Sequence, residues 1–380
     1  MPLSPAALEP LLRLALVPGI GPNRLTMLAR RFGSAERALA ASRVDLAAVA
    51  GLGDELVRRL RAASEPAALE RVSSALSAME RMEAVALTPD DLSYPESFRV
   101  LADPPYLLFA AGDLTLLGER AVAVVGTRQP TDYGRRAAAE LSAGLARAGY
   151  VVVSGMARGI DAAAHSAALD AEGGTIGVLG HGIDRVYPAE NRTLFQRVRQ
   201  SGLLLTEFPP GEQPRAGNFP RRNRLIAALG AGVMVVEMGA RSGAQHTVNY
   251  ATEQGKEIFA VPGPIASAVS AGTNQLIKDG ARVVTSVDDI LEELEGVGRP
   301  AARQRTAADA VAASPEPSPP ELELSPEEAR ALAALTGEPR HVDDLSAASE
   351  LPPQRLLAAL LALELRGSIE SLPGKQFRRV

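Results

Sequence analysis

The sequence has no cysteine and no tryptophan. Without cysteine there are no disulfides, no thiolate metal sites and no cysteine nucleophile, which fits a reducing compartment. Aromatic residues make up only 4% of the chain, so alanine, leucine and valine must fill the interior. The four histidines are scattered, and no pair stands at a metal-ligand spacing without help from the fold. No apolar run reaches membrane length, and the first residues lack a charged segment followed by an apolar one. A cytoplasmic protein with no membrane partner is expected. Lysine is almost absent, so nearly all positive charge is guanidinium, the group suited to bidentate phosphate contact and base stacking.

What is present starts with length. A chain of 380 residues, 46% of them hydrophobic, is long enough for two to three domains with sizeable cores. The net charge of −5 argues on average against a polyanion partner. The charge is unevenly placed, however. Arg215, Arg221, Arg222 and Arg224 fall together, with no acid between Glu212 and Glu237. Acids gather in Asp288 to Glu295 and in Glu321 to Glu328.

Residues 1–84 read as a helical domain, with Leu8, Leu11, Leu12 and Leu16 at helical spacing. Pro18-Gly19-Ile20-Gly21-Pro22 and Ala50-Gly51-Leu52-Gly53-Asp54 each lie between apolar helical runs, as in helix-hairpin-helix (SAM-like) units. Such hairpins can offer backbone amides to a nucleic-acid phosphate. Glycine by itself also permits tight helix–helix turns, and that plainer reading is favoured. Arg24, Arg30 and Arg31 flank the first hairpin, while few basic residues flank the second.

Residues 85–295 form the second expected domain. A short strand within Pro104–Phe109 should join the main sheet. Further strands read at Val122–Val125, Tyr150–Val153, Thr175–Leu179, Leu203–Thr206, Val233–Glu237, Ile258–Val261 and Arg282–Val284, with helices between most of them. This alternation predicts an α/β, Rossmann-like doubly wound, mostly parallel sheet, whose ligands bind beyond the C-terminal strand ends. Residues 296–322 read as a flexible, proline-rich linker. Residues 323–380 read as a winged helix. Ser325-Pro326-Glu327-Glu328 opens its first helix. Helices follow at Val342–Ala348 and Pro352–Arg366, and a hairpin of Ile369–Leu372 and Gln376–Val380 closes across Pro373-Gly374-Lys375. Its third helix carries Arg355 and Arg366 against Glu364, while Lys375, Arg378 and Arg379 make the wing basic. A protein-contact or regulatory role is favoured, with duplex-DNA contact through the wing as the rival.

The organising stretch is Val151-Val152-Val153-Ser154-Gly155-Met156-Ala157-Arg158-Gly159-Ile160-Asp161. A β-branched run stops at Ser154-Gly155, and an alanine-rich helix runs from Asp161 to Asp170. The loop between them puts amides and Arg158 near a helix start, which suits an anion. Glycine or a polar residue ends nearly every other strand too. The segment GTRQPTDYG after the first strand lacks the spaced glycines of GxGxxG, and no Walker lysine is present. No NAD, ATP or other cofactor, and no metal, is therefore expected.

Taken together, VAVVGTR (122–128), VVVSGMARGIDAAAH (151–165), TIGVLGHGIDRVYPAEN (175–191), LLLTEFPPG (203–211), NFPRRNRLIAAL (218–229) and EIFAVPG (257–263) with AGTNQLIKDGA (271–281) resemble the DprA/Smf family of DNA-processing proteins. The resemblance covers roughly Tyr94 to Val287. It implies a non-catalytic protein that binds single-stranded DNA in its Rossmann-like domain, forms a homodimer and loads the RecA recombinase in natural transformation and recombination. It further implies that Arg128 of the Gly126-Thr127-Arg128 turn grips a phosphate. Ser154, Gly155, Met156, Ala157, Arg158 and Gly159 supply the same pocket. Arg222, Asn223 and Arg224 contact phosphate and base edges, with Gly243 on a neighbouring loop. Phe219 either stacks on a base or fixes its loop. The sequence departs from the family at Ala189, where a lysine is common and Arg192 is the nearest basic substitute. It departs again at Gly243-Ala244-Gln245-His246-Thr247, where the family has a Gly-Ser-Leu-Ile-Thr run.

Single strands are held by a basic track with π-faces, each stacked base contributing ~1–3 kcal/mol. With few aromatics at the strand ends, phosphate contacts should outweigh stacking. Plainer readings stand for several tempting residues. Asp161 and His165, at i and i+4, are read as structural, Ser154 and Ser242 as turn formers, and His181 and His246 as loop residues. Glu207 and Glu237 are read as partners of nearby arginines rather than a hydrolytic pair. Two other function classes are weighed. A nucleoside-monophosphate-processing Rossmann hydrolase would carry a Pro-Gly-Gly-x-Gly-Thr loop, which is missing here. An architectural DNA-binding scaffold would use the terminal modules alone. A dimer face within 225–295 is suggested by apolar Leu225, Ile226, Leu229 and the sheet edge that follows, and a RecA contact by the acids of 288–295.

Overall fold

The computed structural model describes residues 3–240, 242–295, 325–335, 340–349, 351–365, 369–372 and 376–379. The expected linker, Arg366 and the wing tip Pro373-Gly374-Lys375 lie outside the described residues. The chain divides into two compact units, residues 1–302 and 303–380.

The first unit opens with six helices: α1 (Pro5–Ala15), α2 (Pro22–Phe32), α3 (Ala35–Ala40), α4 (Arg43–Ala47), α5 (Asp54–Arg61) and α6 (Pro66–Met82). Serines start three of them: Ser4, Ser34 and Ser42 accept the amides of Ala7, Arg37 and Asp45. The two glycine turns fall where expected, between α1 and α2 and between α4 and α5. Gly19 and Gly51 adopt φ of 97° and 77°, a region that penalises a side chain. Leu8, Leu11 and Leu12 are buried, and their core is continuous with Phe109, Met156 and Leu204 of the segment that follows.

That segment runs β1 (Val85–Leu87), α7 (Glu96–Arg99), β2 (Leu108–Gly112), β3 (Ala121–Val125), α8 (Asp132–Arg147), β4 (Val151–Ser154), α9 (Ile160–Asp170), β5 (Thr175–Val178), α10 (Arg192–Ser201), β6 (Leu203–Thr206), α11 (Asn218–Leu229), β7 (Gly232–Val235), α12 (Ala244–Glu253), β8 (Glu257–Ala260), α13 (Ala271–Lys278), β9 (Arg282–Val283) and α14 (Asp288–Glu295). The nine strands make one sheet in the order β1-β2-β6-β5-β4-β3-β7-β8-β9. From β6 to β9 every pairing is parallel. β2 is antiparallel to both β6 and β1. β2 begins after Pro104-Pro105, later than expected, because proline has no amide for a ladder. β1 was not foreseen; three residues carry too little pattern to mark a strand.

Both sheet faces are covered. Ala121, Ala123 and Val125 of β3 pack toward α11 and α12, while Val122 and Val124 pack toward α8, α9 and α14. The period of two in the strand sends alternate residues to opposite layers. Leu225 and Ile226, suggested for a dimer face, are 0% and 1% exposed and belong to this core. Leu225 and Ile226 thus lie on the sheet and offer no surface, while Leu229 is half-buried. Among the described residues no helix is long and apolar enough to cross a membrane.

The second unit packs α15 (Pro326–Ala334), α16 (Val342–Ser349) and α17 (Pro353–Leu365) with β10 (Arg340–His341), β11 (Ile369–Leu372) and β12 (Gln376–Arg379). Its antiparallel sheet has the order β10-β12-β11, a winged helix with Leu345, Leu356, Leu360, Ile369 and Phe377 in the core.

Candidate nucleic-acid interface

Strand order reverses at β3, which has β4 on one side and β7 on the other. At such a switch point the following loops splay apart and leave a crevice. Here they are tied at its base. The Thr127 amide donates to the Glu237 carbonyl at 2.7 Å, and the Ile160 amide donates to the Thr127 carbonyl at 3.2 Å. The buried Glu237 carboxylate accepts the Thr131 amide at 2.9 Å and the Thr131 hydroxyl at 2.6 Å. Gly134 makes room for it, since a Cβ there would lie 2.2 Å from Glu237 Oε2. Glu237 therefore binds Thr131, not the arginine expected for it.

The loop after β4 is shaped from within. Asp161 Oδ2 accepts the amides of Gly155 at 3.1 Å and Ala157 at 3.2 Å. Two of the amides expected to face a ligand are thus already engaged by a carboxylate of the following helix. Asn191 Nδ2 donates to the carbonyls of Met156 at 3.0 Å and Ala157 at 3.1 Å. Arg222 Nη1 donates to the Gly155 carbonyl at 2.7 Å and to the Val178 carbonyl. A Cβ on Gly155 would lie 2.5 Å from Arg222 Nη2, so only glycine admits the guanidinium there.

Arg222 is 4% exposed, and burial pushes it down to about 10, partly offset by the charge of Asp161. Burial in turn pushes the Asp161 carboxyl up, opposed by Arg222 and the two amides. His165, on the same helix, is fully buried, and burial followed by the charge of Arg222 holds it down at about 3. Thr175 Oγ1 donates to the Val152 carbonyl at 2.7 Å and lies 2.7 Å from His165 Nδ1. The proton of the neutral ring therefore sits on Nδ1. This is the structural role expected for Asp161 and His165. Ser154 and Ser242 also act locally: Ser154 Oγ donates to the Val124 carbonyl at 2.6 Å, and Ser242 Oγ accepts the Ala244 amide at 3.3 Å.

Above this base lies a cleft of about 710 Å³. Arg128, Arg158 and Arg222 all line it, with Gly126, Thr127, Ala157, Phe219, Asn223 and Gly243. Gly155 and Met156 line a smaller recess of about 80 Å³ that shares Arg128, Arg158, Tyr187, Phe219 and Arg222. Arg128 is exposed and stands 5.6 Å over the Phe219 ring. Tyr187, 43% exposed, meets Phe219 at 5.6 Å between ring centroids. Gly180 lets Phe219 lie close, since a Cβ there would be 2.9 Å from the ring. Arg158 is exposed and pairs with the equally exposed Glu190 at 2.6 Å.

Ser154, Arg192 and Arg224 are not on this wall, and Gly159 lines a separate shallow depression. Arg224 faces the other flank of α11, where its Nη2 lies 2.6 Å from Glu207 Oε2; Arg221 meets the same oxygen at 3.1 Å. Glu207 thus has the arginine partners expected for it. Several cleft residues fall outside the expected site set, among them Gln129, Tyr187, His246 and Thr247. Tyr187 is one of the few aromatics in the strand-end motifs, and that is the signal that marks it. His246 was read as a loop residue but stands exposed in the first turn of α12. His181 lies between elements as expected, yet is buried, with Nδ1 3.0 Å from the Gly182 carbonyl.

Three family models match the chain: DNA recombination-mediator protein A over residues 85–295, the DprA winged helix domain over 315–375, and a SAM-like helix-hairpin-helix tandem over 11–65. Protein Smf of Synechocystis is 35% identical over 390 residues, spanning 96% of each chain. The X-ray structure of DNA processing protein A from Streptococcus pneumoniae superposes with a TM-score of 0.65 at 34% identity, covering 77% of this chain and 99% of that one. DNA processing protein A from Helicobacter pylori, solved for its single-stranded DNA binding mode, gives 0.51 at 33% identity over 55% of this chain and 95% of that one.

Proposed function

Because the chain belongs to the DprA/Smf family of DNA-processing proteins, we propose that its strand-end cleft binds single-stranded DNA and that the protein is a non-catalytic mediator. In this reading it protects incoming single strands, as a homodimer, and hands them to the RecA recombinase in natural transformation. The carrying observation is the convergence of Arg128, Arg158 and Arg222 on one cleft that also holds Phe219 and Tyr187. Guanidinium groups beside π-faces match a chain of phosphates carrying unstacked bases.

The roles divide by exposure. Arg128 and Arg158 reach solvent and meet phosphate. Arg222 holds the 155–159 loop and adds positive potential from below. Phe219 and Tyr187 offer ring faces to a base, and Asn223 supplies a polar contact at the rim. The hydrolase reading needs a free carboxylate at the switch point, but Glu237 is bound by Thr131.

Titration of a fluorescent oligothymidine at several salt concentrations tests the proposal. Binding should weaken with salt, with a log–log slope of about −0.7 per neutralised phosphate. An affinity indifferent to salt, or turnover of nucleoside monophosphates that Glu237→Gln abolishes, would overturn it. Assembly of RecA on strands precoated with single-strand-binding protein should be faster with the protein present; an unchanged rate would remove the loading role.

A further inference from the structure

Two exposed guanidiniums line the cleft, and they differ in what they meet. Arg128 stands over the Phe219 ring and has no carboxylate partner among the described residues. Arg158 is already engaged. Its Nη2 lies 2.6 Å from Glu190 Oε1, and each side chain is 60% exposed. Asp161 is the one acid among the described residues that lines the cleft, and its Oδ2 is taken up by two amides. Glu190 is thus the carboxylate that meets an exposed cation of the cleft.

The backbone brings this pair together. Tyr187 and Pro188 line the small recess, and Glu190 follows on the short helical turn Ala189–Asn191. Asn191 fastens that turn to the loop of Arg158, because its Nδ2 donates to the Met156 carbonyl at 3.0 Å and the Ala157 carbonyl at 3.1 Å. The fastening residues Asn191 and Ala157 are the chain neighbours of Glu190 and Arg158. Two groups tethered so closely meet at high effective concentration. The Glu190 carboxyl is held below the usual carboxylate range by its own backbone amide and then by Arg158, so it is ionised at neutral pH.

An exposed ion pair adds little to folding. Its effect on a ligand is larger, because a phosphate presents the same kind of charged acceptor oxygen to the same nitrogen. We infer that Glu190 is an internal competitor of the bound strand: its carboxylate holds the phosphate position at Arg158 in the free protein and returns there as the strand leaves. The inference rests on the single-strand reading of the cleft and adds to it a residue that loosens the grip and hastens release. The pair has no net charge, so Arg158 adds nothing to the salt slope while Glu190 keeps its charge.

Glu190→Gln keeps the shape of the side chain and removes its charge. At about 0.1 M salt it should bind fluorescent oligothymidine ~5-fold more tightly, with a log–log salt slope steeper by about 0.7. Most of the gain should appear as slower dissociation in stopped-flow chase. Glu190 is exposed, so the urea midpoint should match the parent. Arg158→Ala/Glu190→Ala, which removes both charges, should keep the parental slope. Asp132→Asn frees exposed Arg135, which does not line the cleft, and should leave affinity within about twofold and the slope unchanged. Parental affinity and slope in Glu190→Gln would overturn the competitor, and so would weaker binding, which would make Glu190 a brace of the Arg158 loop. An equal gain from Asp132→Asn would overturn it too, since any nearby acid would then act alike. All three outcomes leave the cleft reading standing; Arg128→Ala without effect on affinity would overturn that reading instead.

Discussion

Arg222 and Arg224 are neighbours on α11, yet they end in opposite surroundings. Arg222 points to the cleft side and donates to the carbonyls of Gly155 and Val178, with Asp161 near but bonded to amides. Arg224 points the other way, and a buried carboxylate meets it at 2.6 Å. Arg221, one helical turn from Arg224, shares that carboxylate. The difference shows that a run of arginines is not one feature. Helical phase divides it into a flank neutralised at close range by Glu207 and a flank that leaves positive potential facing a cleft. Stability should be sensitive on the first flank, and ligand binding on the second.

Four changes would sharpen or break that contrast, taken from the largest expected effect on stability to the smallest. Glu207→Ala leaves buried Arg224 without its partner and should cost about 3–5 kcal/mol in urea unfolding. The protein that remains folded should bind an oligothymidine of about six nucleotides, short enough to occupy the cleft alone, within about twofold of the parent. A large loss of binding at intact fold would mean the two flanks are coupled. Arg222→Met strips two buried carbonyls of their donor, each worth about 1–3 kcal/mol. It should also lower oligonucleotide affinity, since the 155–159 loop loses its brace; a destabilised protein with parental affinity would show that the loop does not depend on Arg222.

His165 gives a pH test of the cleft side. Its folded value is held at about 3 against 6.5 when unfolded, so below 6.5 only the unfolded chain takes up the proton. Stability from this group is complete above pH 6.5 and drains as pH falls toward 3, by up to about 1.4 kcal/mol per unit. Urea midpoints at pH 7 and pH 5 should move further apart in the parent than in His165→Asn. Equal separations in the two proteins would contradict the buried neutral ring. Smallest in stability is Arg128→Ala, an exposed change expected within about 0.5 kcal/mol of the parent. Its oligonucleotide salt slope should nonetheless drop by about 0.7. A parental slope would take Arg128 off the phosphate track.

The sheet was largely legible because its strands are short apolar runs closed by glycine or polar residues, as in Val151–Ser154 followed by Gly155. The place of the cleft was legible for the same reason, since strand ends must gather at one edge. What was hidden depended on angles about a helix and on partners distant in the chain. Nothing in the string Arg221-Arg222-Asn223-Arg224 says which side chain meets Glu207. Nothing near Glu237 announces Thr131, 106 positions away. The capture of the Gly155 and Ala157 amides by Asp161 was hidden too, because a loop's free donors can be counted only once its fold is known. β1 and the start of β2 were set by pairing and by proline, which outweigh local hydrophobicity in so short a segment.

The ties joining Thr127, Glu237 and Ile160 have a consequence for how a strand is received. They link three loops through backbone groups, so the floor of the cleft has no slack to take up on contact. The amides of Thr127 and Ile160 should therefore exchange with heavy water only through global opening, whether DNA is bound or not. The freedom lost on association then belongs to the nucleotide chain, and an oligonucleotide of equal length stiffened in the bound shape should gain affinity by losing less of it.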